Sequence, residues 1–257
     1  MMEIRNGEPV EDRVGLIVEE PLSIRIEGAP YAVVMRTPGD EIAHVTGFCL
    51  AEGLIDGPDD IVTIGFCAEA GANVATVTLT EARRRRVASL LERKGFVSQT
   101  SCGICGKSVV ADIQQAVGAI AATVRFPAAR LTTLVDELPR HQSLNRETRG
   151  AHAAMIFDSR ETLLALAEDV GRHNALDKAI GRVLMDNRLA DAVLGVLSSR
   201  LSYELVQKGA RAGLQVLVGL SRPTSLAVEL ARSVGMTLVC VQNGRVMVFG
   251  EASRVTA

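Results

Sequence analysis

Aromatic side chains are scarce: the 257 residues include six Phe, two Tyr and no Trp, so the interior has to be built mainly from Ala, Val and Leu. Charge of one sign is missing as well. Lys and Arg number 28 against 30 Asp and Glu, a net charge of −2, which leaves no global basic field to attract nucleic acid. No apolar run approaches the ~18 residues that a membrane span needs. The opening MMEIRNGEPVEDR is polar and acidic, unlike a signal peptide. Five cysteines, an odd number, argue against a disulfide framework and for a reducing, cytoplasmic setting. Neither G-x-G-x-x-G nor a Walker sequence occurs, so no standard dinucleotide or NTPase reading applies. Internal repeats and low-complexity linkers are also absent.

What remains is an ordinary globular composition, 47% hydrophobic and 23% charged, long enough for one large domain or two small ones. Within it, SCGICGK, Ser101 to Lys107, concentrates reactive chemistry. Cys102 and Cys105 are each followed by a glycine, so the backbone there can bend sharply. The pattern Val109, Val110, Ile113, Ala116, Val117, Ile120 predicts a helix from 108 to about 122. A helix N-terminus and Lys107 both favour thiolate over thiol. Four readings stay open on the motif alone. Half a zinc site would need two further ligands, and no second C-x-x-C or paired histidine supplies them. A thioredoxin-type dithiol oxidoreductase would need an early βαβ unit around the motif, which is not what precedes it. Two incidental loop cysteines are the third reading. A persulfide-forming carrier on a mobile loop fits best, although the motif by itself does not establish it. The other three cysteines, Cys49, Cys67 and Cys240, lie in apolar stretches and are expected in the core.

Periodicity divides the rest into a tail (1–13), an α+β subdomain (14–125) ending in the C-x-x-C loop, and an α/β domain (126–257). In the first half, Val14 to Val34 reads as extended, with a turn at Glu27 to Pro30. A helix with Ile42, Val45, Phe48 and Cys49 on one face follows, started by Thr37 to Glu41. Strands are expected at Ile61 to Phe66 and Ala72 to Leu79, then a helix over about 81–93 whose Arg83 to Arg86 face solvent. A short helix over about 130–142 bridges the halves. Beyond it, His152 to Phe157 and Thr162 to Ala167 form a hairpin, followed by helices at about 173–186, 200–212 and 223–234. Strands at 192–197, 214–220 and 237–241 alternate with them. That alternation implies crossovers and a mainly parallel sheet, hence a three-layer α/β sandwich. Gly213 and Gly235 fall at helix C-caps.

In such sheets ligands bind beyond the carboxyl ends of the strands. The loops there are Ser198-Ser199-Arg200, Ser221 to Ser225 (with Arg222, Pro223 and Thr224) and Gln242-Asn243-Gly244-Arg245, whose hydroxyls, arginines and bare backbone suit a phosphate. Ordinary capping by Ser, Thr and Pro is the competing explanation. A second polar concentration runs from Asp169 to Lys178, with His173 or Asn174 available as a cap and Asp177 and Lys178 free to face solvent. His152, in an otherwise apolar strand, reads first as a satisfied core histidine.

Several blocks carry a resemblance: EEPLSIRIEGAPYAVVMRTPGDE, SCGICGK, GAHAAMIF, EDVGRHNALDKAIG, LSYELVQKGARAG and PTSLAVELARSVGMTLV. In that order, over about residues 17 to 250, they resemble the formate dehydrogenase accessory sulfurtransferases, the FdhD family. The resemblance implies a cytoplasmic sulfurtransferase that takes sulfur from a cysteine desulfurase. It would deliver that sulfur to a bis(molybdopterin guanine dinucleotide) cofactor destined for the formate dehydrogenase catalytic subunit. The cofactor is bound transiently, GDP is its mimic, no metal is held, and a homodimer is expected. Cys102 matches the family's persulfide cysteine and Cys105 its companion. The family's cofactor segment falls on Val241-Gln242-Asn243-Gly244-Arg245, one residue shorter than usual, and its glycine pair before His152 reads Arg149-Gly150. Together with Ser198, Arg200, Ser221, Thr224 and Ser225 of the strand-end loops, and His173 and Lys178 of the polar stretch, these five form the candidate cofactor-binding set. A cofactor-binding chaperone without sulfur transfer and a dithiol oxidoreductase are the alternative functions. The family's core also resembles cytidine deaminases. The zinc deaminases' catalytic Glu is missing here, because Ala153 and Ala154 follow His152.

Overall fold

Alternation at Leu22, Ile24 and Ile26 buries one side of a strand, and the computed structural model builds its first sheet around it. The structure describes residues 2–5, 7–11, 13–69, 72–91, 96–97 and 118–257. Strands β1 (Met2–Arg5) and β2 (Glu8–Glu11) pair as an antiparallel hairpin within the expected tail. Residues 14–19, expected to be extended, belong to no strand, and β3 starts only at Glu20. β3 (Glu20–Ile26) turns into β4 (Ala29–Arg36) through Glu27 and Gly28, both at positive φ (52° and 77°), as a two-residue type I′ turn requires. β5 (Ile61–Glu69), β6 (Ala72–Leu79) and β7 (Phe96–Val97) complete a five-stranded sheet in the order β5-β6-β3-β4-β7.

Helix α1 (Glu41–Ala51) follows β4 and is buried along most of its length. The arginine-rich segment breaks at Val87 into α2 (Glu81–Arg86) and α3 (Ala88–Leu91). Arg83, expected on the solvated face, is 4% exposed. Its guanidinium bonds the carbonyls of Leu54 and Gly53 and the Asp56 carboxylate, so the loop after α1 folds around it. Cys67 also departs from expectation: it lies exposed on edge strand β5, while Cys49 and Cys240 are buried.

The second half begins with β8 (Phe126–Pro127), α4 (Ala128–His141) and α5 (Ser143–Thr148). Arg149 closes α5 at φ 55°, a left-handed conformation that costs a non-glycine residue about 1–2 kcal/mol. Next come β9 (His152–Phe157), β10 (Leu163–Asp169), α6 (Arg172–Met185) and β11 (Leu194–Arg200). Then α7 (Tyr203–Arg211), β12 (Val216–Ser221), α8 (Ser225–Val234) and β13 (Thr237–Gln242) follow in alternation. β14 (Arg245–Gly250) adds an antiparallel strand beyond the elements that periodicity predicts, and β15 (Val255–Thr256) pairs with β8. The six-stranded sheet runs β10-β9-β11-β12-β13-β14, with β11, β12 and β13 parallel. Gly213 and Gly235 do lie past helix ends at positive φ (77° and 72°).

Two apolar clusters put helices on both faces of this sheet. Leu131, Leu134 and Leu138 of α4 pack with Met155, Val196, Val218 and Val239 on one face. On the other face α6, α7 and α8 share a core with α1 and the first sheet, including Leu176, Ile180, Leu205, Leu230, Val45 and Ile24. The two halves are therefore joined through α1 against α6. Glycine sets that contact: a Cβ on Gly181 would sit 1.7 Å from the Ala43 carbonyl oxygen, and one on Gly47 1.9 Å from that of Asp177. Both obstacles are backbone, so no side chain can move aside. Gly181→Ala should cost about 3 kcal/mol or more in a denaturant titration, at the upper end of overpacking effects. A loss below about 1 kcal/mol would mean that the helices are not this close.

Candidate functional site

Because β11, β12 and β13 are parallel, their carboxyl ends share one edge of the sheet. Antiparallel pairing brings the start of β9 and the end of β10 to the same edge, with His152 opposite Asp169. The three loops singled out in the sequence thus do converge, joined by the N-termini of α6, α7 and α8. Cys102 and Cys105 lie outside the described residues.

At the centre of the edge, the Ser198 hydroxyl accepts a hydrogen bond from the Ala153 amide (2.8 Å) and lies 3.4 Å from His152 Nδ1. Ser199 is buried and donates to the Arg200 carbonyl, while Arg200 is exposed and pairs in register with exposed Ser221. Thr224 caps α8 by accepting from the Ala227 amide, so its hydroxyl does the ordinary capping work; Ser225, next in sequence, is exposed. Asn243 and Gly244, both at positive φ (51° and 69°), form the two-residue turn between β13 and β14, with Gln242 and Arg245 exposed on either side. Val241 is 6% exposed and belongs to the core under α4, so only its backbone is near the edge.

His173, in the first turn of α6, is held from α7: its Nε2 lies 3.2 Å from Ser202 Oγ and 3.7 Å from Glu204 Oε2. Burial holds the imidazole below its ordinary pKa, outweighing the upward pull of Glu204. The neighbouring His173 in turn holds the Glu204 carboxyl down to about 2. His152 is likewise lowered, first by burial and then by the Arg172 charge. Arg172 Nε is itself buried without a hydrogen-bond partner. Two largely neutral imidazoles, an arginine and several hydroxyls therefore surround this edge, a set suited to an anionic ligand and to moving a proton.

Beneath the edge lies a network that the sequence reading did not assign. Asp169, fully buried, accepts from the amides of Thr37 (3.0 Å) and Gly171 (2.8 Å), from Asn174 Nδ2 (2.9 Å), and pairs with Lys178 Nζ at 2.7 Å. Lys178 also donates to the Thr37 carbonyl (2.7 Å), and Asn174 to that of Met35 (2.7 Å). Asp177 is gripped by Lys208 of α7 at 2.7 and 2.8 Å. Asp177 and Lys178 are each 2% exposed, so neither faces solvent, and Lys178 is committed to Asp169 rather than presented to a ligand. Neither His173 nor Asn174 caps α6: Gly171 is the N-cap, and the side chain that reaches its amide is that of Asp169. One signal for the missed Lys208 was available, a lysine three positions after Leu205 on the apolar stripe of α7. Among the described residues, no cluster of three or more His, Cys, Asp or Glu could hold a metal ion. No helix of theirs is long and apolar enough to cross a membrane.

The fold and edge define a mixed α/β protein with a polar sheet edge flanked by helix N-termini. It resembles, with a TM-score of 0.78 at 23% identity, the crystal structure of a putative formate dehydrogenase accessory protein from Desulfotalea psychrophila, covering 100% of this chain and 97% of that one. The chain belongs to the FdhD/NarQ family, whose model matches residues 17–256. It is 40% identical over 256 residues to the sulfur carrier protein FdhD of Mycobacterium tuberculosis, spanning 94% of this chain and 91% of that protein. The protein of the same name from Streptomyces coelicolor is 38% identical over 272 residues, spanning 99% and 94%.

Buried titratable groups set the acid response. His44, fully buried and with no partner on either ring nitrogen, is held well below 6.5 by burial and by the Lys178, Lys208 and Arg36 charges. A depressed folded pKa gives stability that is present above the unfolded pKa and lost as pH falls through the folded one, and His152 and His173 act in the same direction. Asp177, pushed up to about 6 by burial against the pull of Lys208, works oppositely and loses its contribution as pH rises through about 6. Three groups outweigh one. Denaturation at pH 7 and 5.5 should show a net loss on acidification, with His44 alone supplying about 1 kcal/mol. Greater stability at pH 5.5 would contradict this assignment.

Proposed function

We propose that this protein is a sulfur carrier for formate dehydrogenase maturation, taking sulfur from a cysteine desulfurase and passing it to a bis(molybdopterin guanine dinucleotide) cofactor. The observation that carries the reading is family membership over residues 17–256, together with full-length relatives named sulfur carrier protein. The cofactor is the substrate here, not a resident group, and the setting is cytoplasmic. Residues 14–125 supply the cysteine loop, and residues 126–257 supply a cofactor-binding unit of deaminase-like topology.

In the first step the Cys102 thiolate attacks the outer sulfur of the donor's cysteine persulfide. The donor S–S bond breaks, its electron pair leaves with the donor cysteine thiolate, and Cys102 becomes a persulfide. In the second step the Cys105 thiolate attacks Cys102 Sγ, forming a Cys102–Cys105 disulfide and releasing hydrosulfide to the cofactor's metal. A cellular dithiol then reduces the disulfide, so electrons balance over the cycle. The guanine nucleotide portion lies along the sheet edge, its phosphates against the N-termini of α7 and α8 and the Arg200, Arg222 and Arg245 side chains. The buried, unpartnered Arg172 Nε offers a further donor to the ligand, beside His173.

Incubation with a cysteine desulfurase and cysteine should add one sulfur to the intact mass, removable by reductant. Cys102→Ala should lose both the adduct and the ability to activate formate dehydrogenase. In the same preparation, calorimetry should detect GDP binding that Arg245→Ala weakens and ADP does not match. Normal activation by the Cys102→Ala protein would sink sulfur transfer, and if GDP binding persisted would leave a cofactor-binding chaperone. Absence of GDP binding would remove the sheet edge as the cofactor site.

A further inference from the structure

The end of α6 opposite His173 borders a cavity of about 650 Å³ that the proposed sulfur chemistry does not use. One wall is the margin of β10, Leu163 to Leu166, and the other is the start of α1 with Phe66 of β5. Both strands are sheet edges: β10 ends the six-stranded sheet and β5 ends the five-stranded one. An edge strand presents main-chain groups with no neighbouring strand to take them. At Leu166 that role is filled by a side chain, because Arg182 of α6 donates to its carbonyl oxygen while pairing with Asp40. Leu163 to Ala165 have no strand on that side among the described residues.

The groove is apolar and open at the surface, where Leu163 and Met185 are 37% and 49% exposed. Among the described residues its rim is acidic: Asp40, Glu41 and Asp186 stand against Arg182. Asp40 is already paired with Arg182 and Glu41 with the buried Arg36, whereas Asp186 is exposed at the mouth. A free sheet margin, apolar walls and a net negative rim together specify an occupant. We propose that this groove receives an extended segment of a partner protein that carries both apolar and basic residues. Its backbone adds to β10 beside Leu163 to Ala165, its apolar side chains fill the space between Phe66 and Met185, and a Lys or Arg meets Asp186. Main-chain pairing supplies affinity and the side-chain pockets supply specificity, as in other strand-addition complexes. α6, 14 residues long, separates the groove from the His173 edge by about 20 Å, so a partner can stay docked while the edge is occupied. The inference is independent of sulfur transfer, and its test reads neither sulfur nor cofactor.

The protein labelled with ¹³C-methyl methionine reports on the groove through Met185, its resonance assigned by Met185→Leu. The probes are the blocked pentapeptide Ac-Leu-Lys-Leu-Lys-Leu-NH₂, its Glu counterpart, and a version with proline at the centre. A saturable shift of the Met185 methyl with the lysine peptide is expected at millimolar concentration, weakening as salt is raised. The Glu peptide should bind about tenfold more weakly, and Asp186→Lys should erase that difference. The proline peptide should also bind more weakly, because it lacks one main-chain donor. No saturable shift at Met185 would overturn the proposal. Equal affinity for the lysine and Glu peptides would overturn the basic partner, and equal affinity for the proline peptide would overturn strand addition.

Discussion

The Asp169 carboxylate is the point on which the two halves and the sheet edge depend. It is fully buried, yet four donors converge on it: two amides, one side-chain amide and one ammonium. Two of these come from the start of α6 or the turn before it, one from the end of β4, and the ammonium from one turn further along α6. A lone carboxylate in that position would be expensive to desolvate, and only the full donor set makes its charge tolerable. The consequence is geometric. The N-terminus of α6, which carries Arg172 and His173, is fixed to the first sheet and to β10 by one group.

The same helix carries the other constraints. Gly47 and Gly181 let α1 and α6 meet backbone to backbone, and Asp177 locks α6 to α7 through Lys208. His173 repeats the α6–α7 link one helical turn earlier, through Ser202 and Glu204. A ligand that engages His173 or Arg172 therefore acts on a rigid element. At the far end, Arg182 ties the C-terminal part of α6 to Asp40 and to the margin of β10. One helix thus has a polar sheet edge at its start and an acidic, apolar groove at its end.

Much of this fold could be read from periodicity, because local patterns decide it. The alternating strands and helices after His152, the shared carboxyl edge and the glycine caps follow from spacing alone. Interactions distant along the chain could not be read. Asp169 and Thr37 are 132 positions apart, and Asp177 and Lys208 are 31 apart. A charged pair on a helix is by default assigned to solvent, which is why the sequence leaves Asp177 and Lys178 free to face it and puts Arg83, whose partners lie around Asp56, on the solvated face. Cys67 failed for a related reason: an apolar stretch marks a strand but not whether it ends at a sheet edge. At the candidate site, Ser198 and His173 were visible as polar residues near helix starts. Ser202, Glu204 and Asp169 became meaningful only once α6 and α7 lay side by side. Strand β14 is not legible because the turn before it, Gln242 to Arg245, equally suits a ligand loop.

The most direct test of this account is the stability of Asp169→Asn, which keeps the shape and removes the charge, measured beside Lys178→Met and the double variant. Asp169→Asn should lose about 3–5 kcal/mol, because it strands a buried ammonium, and the double variant should recover part of that loss. A single-variant loss below about 1 kcal/mol, or strictly additive losses in the double variant, would show that the Asp169–Lys178 pair does not hold the halves together.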